Sequence, residues 1–239
     1  NNRLYLKKMI FNSYKKSFDT ENKLIENKNV HKFICNIEKN LKIIGITYTG
    51  RVFPIDWQGN INTDYKLDNK VLGNISPNEI INFHNINKEI ENYICTLNSD
   101  GRFKKVLFDN EMLKSNRTFA ISKLKNNIKI IDSFIFKGEE TLIILTSIGR
   151  IFKFNLSNKY LTPVTKQSQG LLLAKLLPNE KIVSCCKSQV GEKLYLVSKK
   201  GKIFKIKNDE IYYANDYKLG YLNEKIQLKN DHFIKLLPS

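Results

Sequence analysis

The sequence has few of the residues on which metal binding and acid–base catalysis depend. Only three of its 239 residues are histidines and four are cysteines. The histidines are far apart and no CxxC pair exists, so no zinc-ligand spacing is present. The acidic residues form no pair that one cleft would hold, and no Ser/His/Asp or Cys/His set has a supporting context. We therefore expect no enzymatic activity and no cofactor for this chain alone.

Long apolar runs are also missing. No run approaches the roughly 18 residues of a membrane-spanning helix, so no membrane partner is expected. Cys35, Cys95 and Cys185 lie in short apolar runs, and Cys186 adjoins the last of them. Buried free thiols are the expectation, and they favour a reducing intracellular compartment. That compartment is the nucleoid or cytoplasm or a plastid-type organelle, and the AT-biased composition favours the organelle.

Positive charge is what the sequence has in excess. Lysine and arginine number 40 against 23 aspartates and glutamates, which gives a formal charge of +17. Self-repulsion of this size destabilises a compact chain, so a polyanionic partner is the natural physical interpretation. An AT-rich genome also raises the lysine content everywhere. Such drift does not explain basic residues that return at one position of a repeat.

A repeat of about 50 residues runs along the chain. Its first marker is a glycine after a short apolar run, with spacings of 51, 48 and 52 residues: Gly50, Gly101, Gly149 and Gly201. A basic residue follows each glycine: Arg51, Arg102, Arg150 and Lys202. The second marker is an asparagine, with spacings of 48, 53 and 51 residues: Asn78, Asn126, Asn179 and Asn230. Two markers with one period indicate a repeated supersecondary unit, as in solenoids and propellers.

Each unit is predicted to be built from β-strands. The runs before the glycines are rich in isoleucine, leucine, valine, tyrosine and threonine, which suit a pleated sheet. The glycine supplies the positive φ of a hairpin turn, and Phe152 and Phe154 then alternate with Lys153 as in a strand. No segment has a sustained 3.6-residue apolar period. Four short strands in about 50 residues predict an all-β, propeller-like blade.

The phase of the markers predicts the number of blades. Asn27 lies 51 residues before Asn78 and marks an earlier unit whose glycine would precede the first residue. We predict a single domain over residues 1–239 with about five four-stranded blades, or six if the first is clipped. The predicted boundaries are a blade remnant at 1–30 and blades at about 31–81, 82–130, 131–183 and 184–239.

The repeat resembles that of the C-terminal domain of DNA gyrase A and of its equivalent in topoisomerase IV. The segment ICTLNSDGRFKKVLFDNEM is similar to the family's TxxGxVKKxxLxxF. The segment TPVTKQSQGLLLAKLLPNEKIVSC is similar to its RxxxGVxxxxLxxxDxVV, with Gln169 and Gly170 at the expected place. VHKFICNIEKNLKIIGITYTGRVFPI resembles a second blade and YLKKMIFNSY the end of the first hairpin. The resemblance covers nearly the whole chain.

This resemblance implies a β-pinwheel, a propeller-like fold whose blades exchange strands with their neighbours. It implies a non-catalytic module that bends duplex DNA around a basic rim and presents a crossing segment for strand passage and supercoiling. The implied partners are duplex DNA, the remainder of gyrase A, and gyrase B. The complete enzyme would be an ATP-dependent type II DNA topoisomerase, whereas this chain alone is not an enzyme.

One segment departs from the family pattern. The first blade of gyrase carries a glycine-rich basic heptapeptide, QRRGGKG, and the corresponding segment here is SYKKSFDTENKLIENKN, which has no glycine. Lys15 and Lys16 keep some of the charge. The close backbone approach that glycines allow is missing, so the sequence does not separate gyrase from topoisomerase IV and leaves supercoiling competence open.

Wrapping requires cations along a curved path rather than contacts with base edges. The candidates in and beside the hairpins are Arg51, Arg102, Lys104, Lys105, Arg150, Lys153, Lys202 and Lys205. The candidates in neighbouring turns are Arg117, Lys166, Lys199 and Lys200, with Lys15 and Lys16 in the first blade. For any one of them, a solvated strand residue is an equal alternative. A propeller scaffold that binds RNA or acidic proteins is the alternative function.

Overall fold

The structure is a computed structural model. It describes residues 5–7, 42–55, 64–66, 72–86, 91–108, 117–125, 127–136, 138, 140–214, 220–222, 226, 228 and 230–238. Within these ranges the regular elements are sixteen β-strands and two single-turn 3₁₀ helices. None of the described residues forms a helix that is long and apolar enough to cross a membrane.

The strands are short and follow the predicted repeat. They are β1 (Tyr5–Lys7), β2 (Lys42–Thr47), β3 (Arg51–Ile55), β4 (Asp64–Lys66), β5 (Ile80–Ile86), β6 (Asn92–Asn98), β7 (Arg102–Phe108), β8 (Phe119–Ala120), β9 (Ile130–Phe136), β10 (Thr141–Thr146), β11 (Ile151–Asn155), β12 (Leu171–Leu172), β13 (Ile182–Ser188), β14 (Lys193–Ser198), β15 (Ile203–Lys207) and β16 (Phe233–Pro238). The 3₁₀ helices are Pro77–Glu79 and Asn208–Glu210.

These strands form five antiparallel sheets, which we call blades 1 to 5. Their strand orders are β1-β4, β5-β2-β3-β8, β12-β7-β6-β9, β11-β10-β13 and β15-β14-β16. Each of blades 2 to 5 contains a hairpin, and its turn ends in a repeat glycine with a φ between 81° and 93°. Only glycine adopts this φ without strain, which explains the first marker of the repeat.

The outermost strand of a blade comes from a segment about 70 residues further along the chain. In blade 2, Arg51 pairs with Ala120, and in blade 3, Arg102 pairs with Leu172. In blade 4, Ile151, one position further from the turn glycine, forms a bridge with Tyr221, as Val52 pairs with Phe119 in blade 2. Neighbouring blades therefore exchange strands. The all-β pinwheel that the resemblance implied is confirmed, whereas the single-domain division and the blade boundaries stay predictions.

The apolar core lies between blades that pack face to face. Alternate residues of β10 belong to two different clusters: Leu142 and Ile144 pack toward blade 3, whereas Ile143 and Leu145 pack toward blade 5. All four are fully buried. A strand that is buried on both faces has no polar alternation, which explains the continuous run TLIILT.

The strands β5, β9, β13 and β16 lie next to one another in that order at the opposite side of the blades from the exchanged strands. Polar side chains join three of them. Asn82 Nδ2 donates to Asp132 Oδ1 at 3.0 Å, and Ser184 Oγ donates to Asp132 Oδ2 at 3.3 Å. Hydrogen bonds of this kind satisfy groups that burial would otherwise penalise.

The asparagine marker needs one correction. Asn179 and Asn230 have φ values of 63° and 52°, a conformation that asparagine tolerates better than most residues. In the preceding unit the residue with positive φ is Asn127, at 69°, one residue after the predicted Asn126, whereas the first marker, Asn78, lies in the 3₁₀ helix Pro77–Glu79 and has no positive φ. Asn126 itself lies outside the described residues.

The cysteines at 95, 185 and 186 are buried and free, as expected. Burial raises the pKa of each thiol, that of Cys186 to about 12. These three thiols are therefore poor nucleophiles at neutral pH. Cys35 lies outside the described residues.

Candidate nucleic-acid interface

Two predicted cations at the same repeat position are buried between blades. Lys105 and Lys153 each stand four residues after a turn glycine, and they are 1% and 4% exposed. The Nζ of Lys105 donates to the carbonyl oxygen of Leu156 at 2.5 Å, and the Nζ of Lys153 donates to that of Asn208 at 2.9 Å. In both cases the acceptor directly follows the second hairpin strand of the next blade.

Aromatic rings complete the surroundings of these two amines. The Nζ of Lys105 lies 4.2 Å from the ring centroid of Phe136, and that of Lys153 lies 4.7 Å from the ring centroid of Tyr213. Burial lowers the pKa of both amines. Each lysine thus links one blade to the next by a hydrogen bond. Because both amines are buried, neither lysine is accessible to DNA.

Lys104 and Arg150 are buried as well. The Nζ of Lys104 donates to the carbonyl oxygen of Lys166 at 2.5 Å, and burial lowers the pKa of this amine to about 8. The guanidinium of Arg150 forms an ion pair with the buried carboxylate of Glu180, with an Nε–Oε1 distance of 2.8 Å. It also donates to the carbonyl oxygen of Lys175 at 2.6 Å. Both side chains stabilise the fold at the position where the sequence predicted phosphate contacts.

The remaining predicted cations are at least partly accessible. Arg117, Lys199, Lys200, Lys202 and Lys205 are exposed, and Arg51, Arg102 and Lys166 are half-buried. Two acceptors restrain Arg102: the carboxylate of Asp100, 3.4 Å from Nε, and the carbonyl oxygen of Gly170, 3.3 Å from Nη1. Lys15 and Lys16 lie outside the described residues.

Some accessible cations lie beside the exchanged strands, which form the outer edges of blades 2 and 3. Arg117 precedes β8 by two residues and Lys166 precedes β12 by five. The Nζ of Lys166 also lies 5.5 Å from the ring centroid of Phe119 in β8, so it connects the outer edges of the two blades. The structure therefore brings Arg117 and Lys166 to the same outer strand, whereas Lys199 to Lys205 belong to blade 5.

Two further lysines follow the exchanged strands, just past the hairpin turns, and were missed in the sequence. Lys123 and Lys175 are both exposed, and each follows the first residue of an exchanged strand, Phe119 or Leu171, by four positions. Alignment on the exchanged strands, rather than on the hairpin glycines, reveals the equivalence. Lys225 follows Tyr221 by the same interval in the sequence but lies outside the described residues.

We call Arg117, Lys123, Lys166 and Lys175 the outer-edge cations. The two segments that carry them, residues 117–125 and 162–179, contain no aspartate or glutamate. No acidic side chain of these segments competes with a polyanion for the outer-edge cations. Among the described residues, no group of three or more histidines, cysteines and acidic residues is arranged to hold a metal ion.

The sequence matches no protein-family model and no curated protein. The fold, however, is shared with solved structures. A crystal structure of the C-terminal domain of DNA topoisomerase IV superposes with a TM-score of 0.68 at 15% identity, over 99% of this chain and 76% of that one. The E. coli ParC C-terminal domain gives a TM-score of 0.61 at 13% identity, over 85% of this chain and 83% of that one.

A DNA gyrase A C-terminal domain is also similar, with a TM-score of 0.48 at 14% identity over 84% of this chain and 83% of that one. The topoisomerase IV and ParC domains have the higher TM-scores, and they show the shared fold. The chain has the fold of the C-terminal domains of topoisomerase IV.

Proposed function

We propose that this chain is a non-catalytic module that binds duplex DNA along the outer edges of its blades, without sequence preference, and bends it. The observation that carries the proposal is the recurrence of the outer-edge cations. Lys123 in blade 2 and Lys175 in blade 3 are exposed at one repeat position, in segments that contain no acidic residue. The formal charge of +17 favours the same class of partner.

The physical basis is phosphate neutralisation. Duplex DNA carries one charge per ~1.7 Å of axis, and each neutralised phosphate releases condensed counterions, so affinity falls steeply with salt. Bending the duplex costs deformation energy, which cationic contacts at intervals along a curved surface offset. Such contacts carry no base information, and this is why we expect no sequence preference.

In the complete protein we assign this module to a type II DNA topoisomerase, with the remainder of gyrase A and with gyrase B, or their topoisomerase IV equivalents, as partners. The shared fold with the topoisomerase IV domains supports this assignment. The buried free thiols support a reducing intracellular compartment, for which nucleoid, cytoplasm and plastid-type organelle are the candidates. DNA wrapped on the module would then present a crossing segment for strand passage.

Filter binding with a duplex of about 40 base pairs tests the DNA-binding step, at several salt concentrations and with RNA as competitor. Each phosphate contact contributes about 0.9 to the slope of log affinity against log salt. The double variant Lys123→Gln/Lys175→Gln should therefore lower the slope by about 2. The matched double variant Lys159→Gln/Lys235→Gln removes two exposed lysines that do not adjoin an exchanged strand, and it should leave the slope unchanged.

The proposal fails if the two double variants lower the slope equally, since the outer edge would then have no special role. Preferential displacement by RNA would favour the RNA-binding alternative instead. Bending is measured separately, by ligation of DNA circles on the protein. A shift in linking number that Lys123→Gln/Lys175→Gln reduces supports wrapping, and an unchanged linking number contradicts it.

A further inference from the structure

The outer edge of β15 in blade 5 has no partner strand within the part of the chain that the structure describes. In blades 2, 3 and 4 the exchanged segment covers this edge, and the residue two positions after the turn glycine is buried. Val52, Phe103 and Ile151 are 0%, 1% and 1% exposed, whereas Ile203 at the same position is 66% exposed. Blade 5 therefore exposes a surface that the other hairpins bury.

The register shows which backbone groups this edge offers. In blade 4, the amide of Ile151 donates to the carbonyl oxygen of Tyr221 at 2.9 Å, and the reverse bond is 2.6 Å long. Ile203 pairs with Val197 just as Ile151 pairs with Leu145, so its amide and carbonyl point away from β14. Outward groups of this kind pair readily with an added strand.

The space in front of the turn is also open. In blade 3 a Cβ on Gly101 would lie 1.9 Å from the carbonyl oxygen of Ala174 in the exchanged segment. A Cβ on Gly201 would meet no atom within 4 Å. Among the residues that the structure describes, none therefore fills in blade 5 the space that the exchanged segment fills in blade 3.

Exposed lysines surround this edge. They are Lys199, Lys200, Lys202, Lys205 and Lys207, and residues 199–207 include no aspartate or glutamate. Lys205 is the repeat equivalent of Lys105 and Lys153, whose amines bond to carbonyl oxygens of the next blade. An occupant of this edge would therefore meet a row of cations beside an apolar side chain.

We propose that β15 accepts an extended segment of a partner protein as its outermost strand, and that this segment carries apolar residues flanked by carboxylates. The apolar requirement follows from the residues that cover the other hairpins, Phe119, Leu171 and Tyr221. The carboxylate requirement follows from charge complementarity with the lysines. Duplex DNA satisfies the lysines but offers no strand-like backbone to the amide and carbonyl of Ile203.

The test uses the peptide EEGLLLAEE, which places the segment 170–174 of the exchanged strand of blade 3 between glutamates. Fluorescence anisotropy of the labelled peptide measures its binding to the full chain. Methylation of the backbone nitrogens of its central leucines removes the N–H groups that would donate hydrogen bonds to β15. Because a lost buried hydrogen bond is worth about a factor of ten in affinity, the methylated peptide should bind about tenfold more weakly.

Protein variants test two features of β15 separately: the outward backbone amide of Ile203 and the charge of the lysines beside it. Ile203→Pro removes the outward amide and leaves every lysine, and β3 already holds a proline, Pro54. This variant should weaken the peptide about tenfold. The triple variant Lys202→Gln/Lys205→Gln/Lys207→Gln should also weaken it and reduce its salt dependence. The matched triple variant Lys129→Gln/Lys159→Gln/Lys181→Gln, which changes exposed lysines outside blade 5, should bind it as the native chain does.

Two results would overturn the proposal. The first is a native chain that does not bind the unmodified peptide. The second is a methylated peptide that binds the native chain as tightly as the unmodified one, because the lysines would then act on charge alone, as they would with DNA. The methylated peptide needs no protein variant, so the test holds even if Ile203→Pro does not fold. Neither result bears on DNA binding at the outer-edge cations.

Discussion

Blades 3 and 4 differ from blade 5 in the burial of one lysine of the repeat. Lys105, Lys153 and Lys205 occupy the same position after the turn glycine, in strands of closely similar sequence. The first two are buried and donate to carbonyl oxygens of the following blade, whereas Lys205 is exposed. The position of a lysine in the repeat therefore predicts the strand in which it lies. Whether its side chain is buried or exposed depends on whether the next blade packs over it.

The same comparison applies to the basic residue directly after the glycine, and here the effect on stability should be largest. Arg150 is buried with Glu180, whereas Arg102 is about one-third exposed and lies near Asp100. Arg150→Met should lower the free energy of unfolding by about 3–5 kcal/mol, since it leaves a buried carboxylate without its partner. Arg102→Met should cost less than about 1 kcal/mol. Urea denaturation measures both, and equal losses would contradict the distinction.

The next largest expected effect on stability comes from a buried histidine, and it depends on pH. Burial, with a contribution from Lys187, lowers the pKa of His84 to about 4. Between about pH 6.5 and pH 4 the unfolded chain binds this proton and the folded chain does not, so stability falls as the pH decreases. The loss amounts to at most about 3 kcal/mol and ends below pH 4, where both states are protonated.

His84→Phe tests this contrast, because blade 3 has Phe134 at the equivalent position. The variant should lose most of the pH dependence of its unfolding free energy between pH 6.5 and pH 4. His232→Asn, which changes an exposed histidine of blade 5, is the control and should keep it. A native pH profile in His84→Phe would show that other groups cause the dependence.

Substitution of the repeat lysines should have a smaller effect on the free energy of unfolding. Lys153→Met should lower the free energy of unfolding by about 1–3 kcal/mol, because it removes a charged hydrogen-bond donor from the buried carbonyl oxygen of Asn208, which keeps only the amide of Ile211 as donor. Lys205→Met should change it by less than about 0.5 kcal/mol, as is usual for an exposed residue. Thermal or urea unfolding of the two variants compares them directly. Similar losses would mean that burial by the next blade is not what separates them.

Much of the fold follows from the sequence. The recurrent glycines, the apolar runs before them and the alternation of Phe152, Lys153 and Phe154 are local features, and they correctly predicted hairpins. The continuous apolar run of β10 is local as well, and it reflects burial on two faces. Local patterns suffice here because each hairpin is formed by adjacent residues.

The site was less predictable, because its geometry depends on distant residues. A lysine between two phenylalanines in a strand suggests a solvent-facing side chain, but the acceptor of Lys153 lies 55 residues away. The exchanged strands pair with hairpins about 70 residues upstream, more than one repeat period. Lys123 and Lys175 are equivalent only with respect to those strands, so alignment on the glycines did not identify them.

In the proposed mode of DNA binding, the outer-edge lysines contact the duplex, whereas the lysines between blades do not. Acetylation of the native chain with and without a duplex, followed by mass spectrometry, tests all of them at once. We predict that Lys123 and Lys175 are modified in the free chain and protected by DNA, and that Lys105 and Lys153 stay unmodified in both states. Modification of Lys105 and Lys153 with protection by DNA, or no protection of Lys123 and Lys175, would contradict the account.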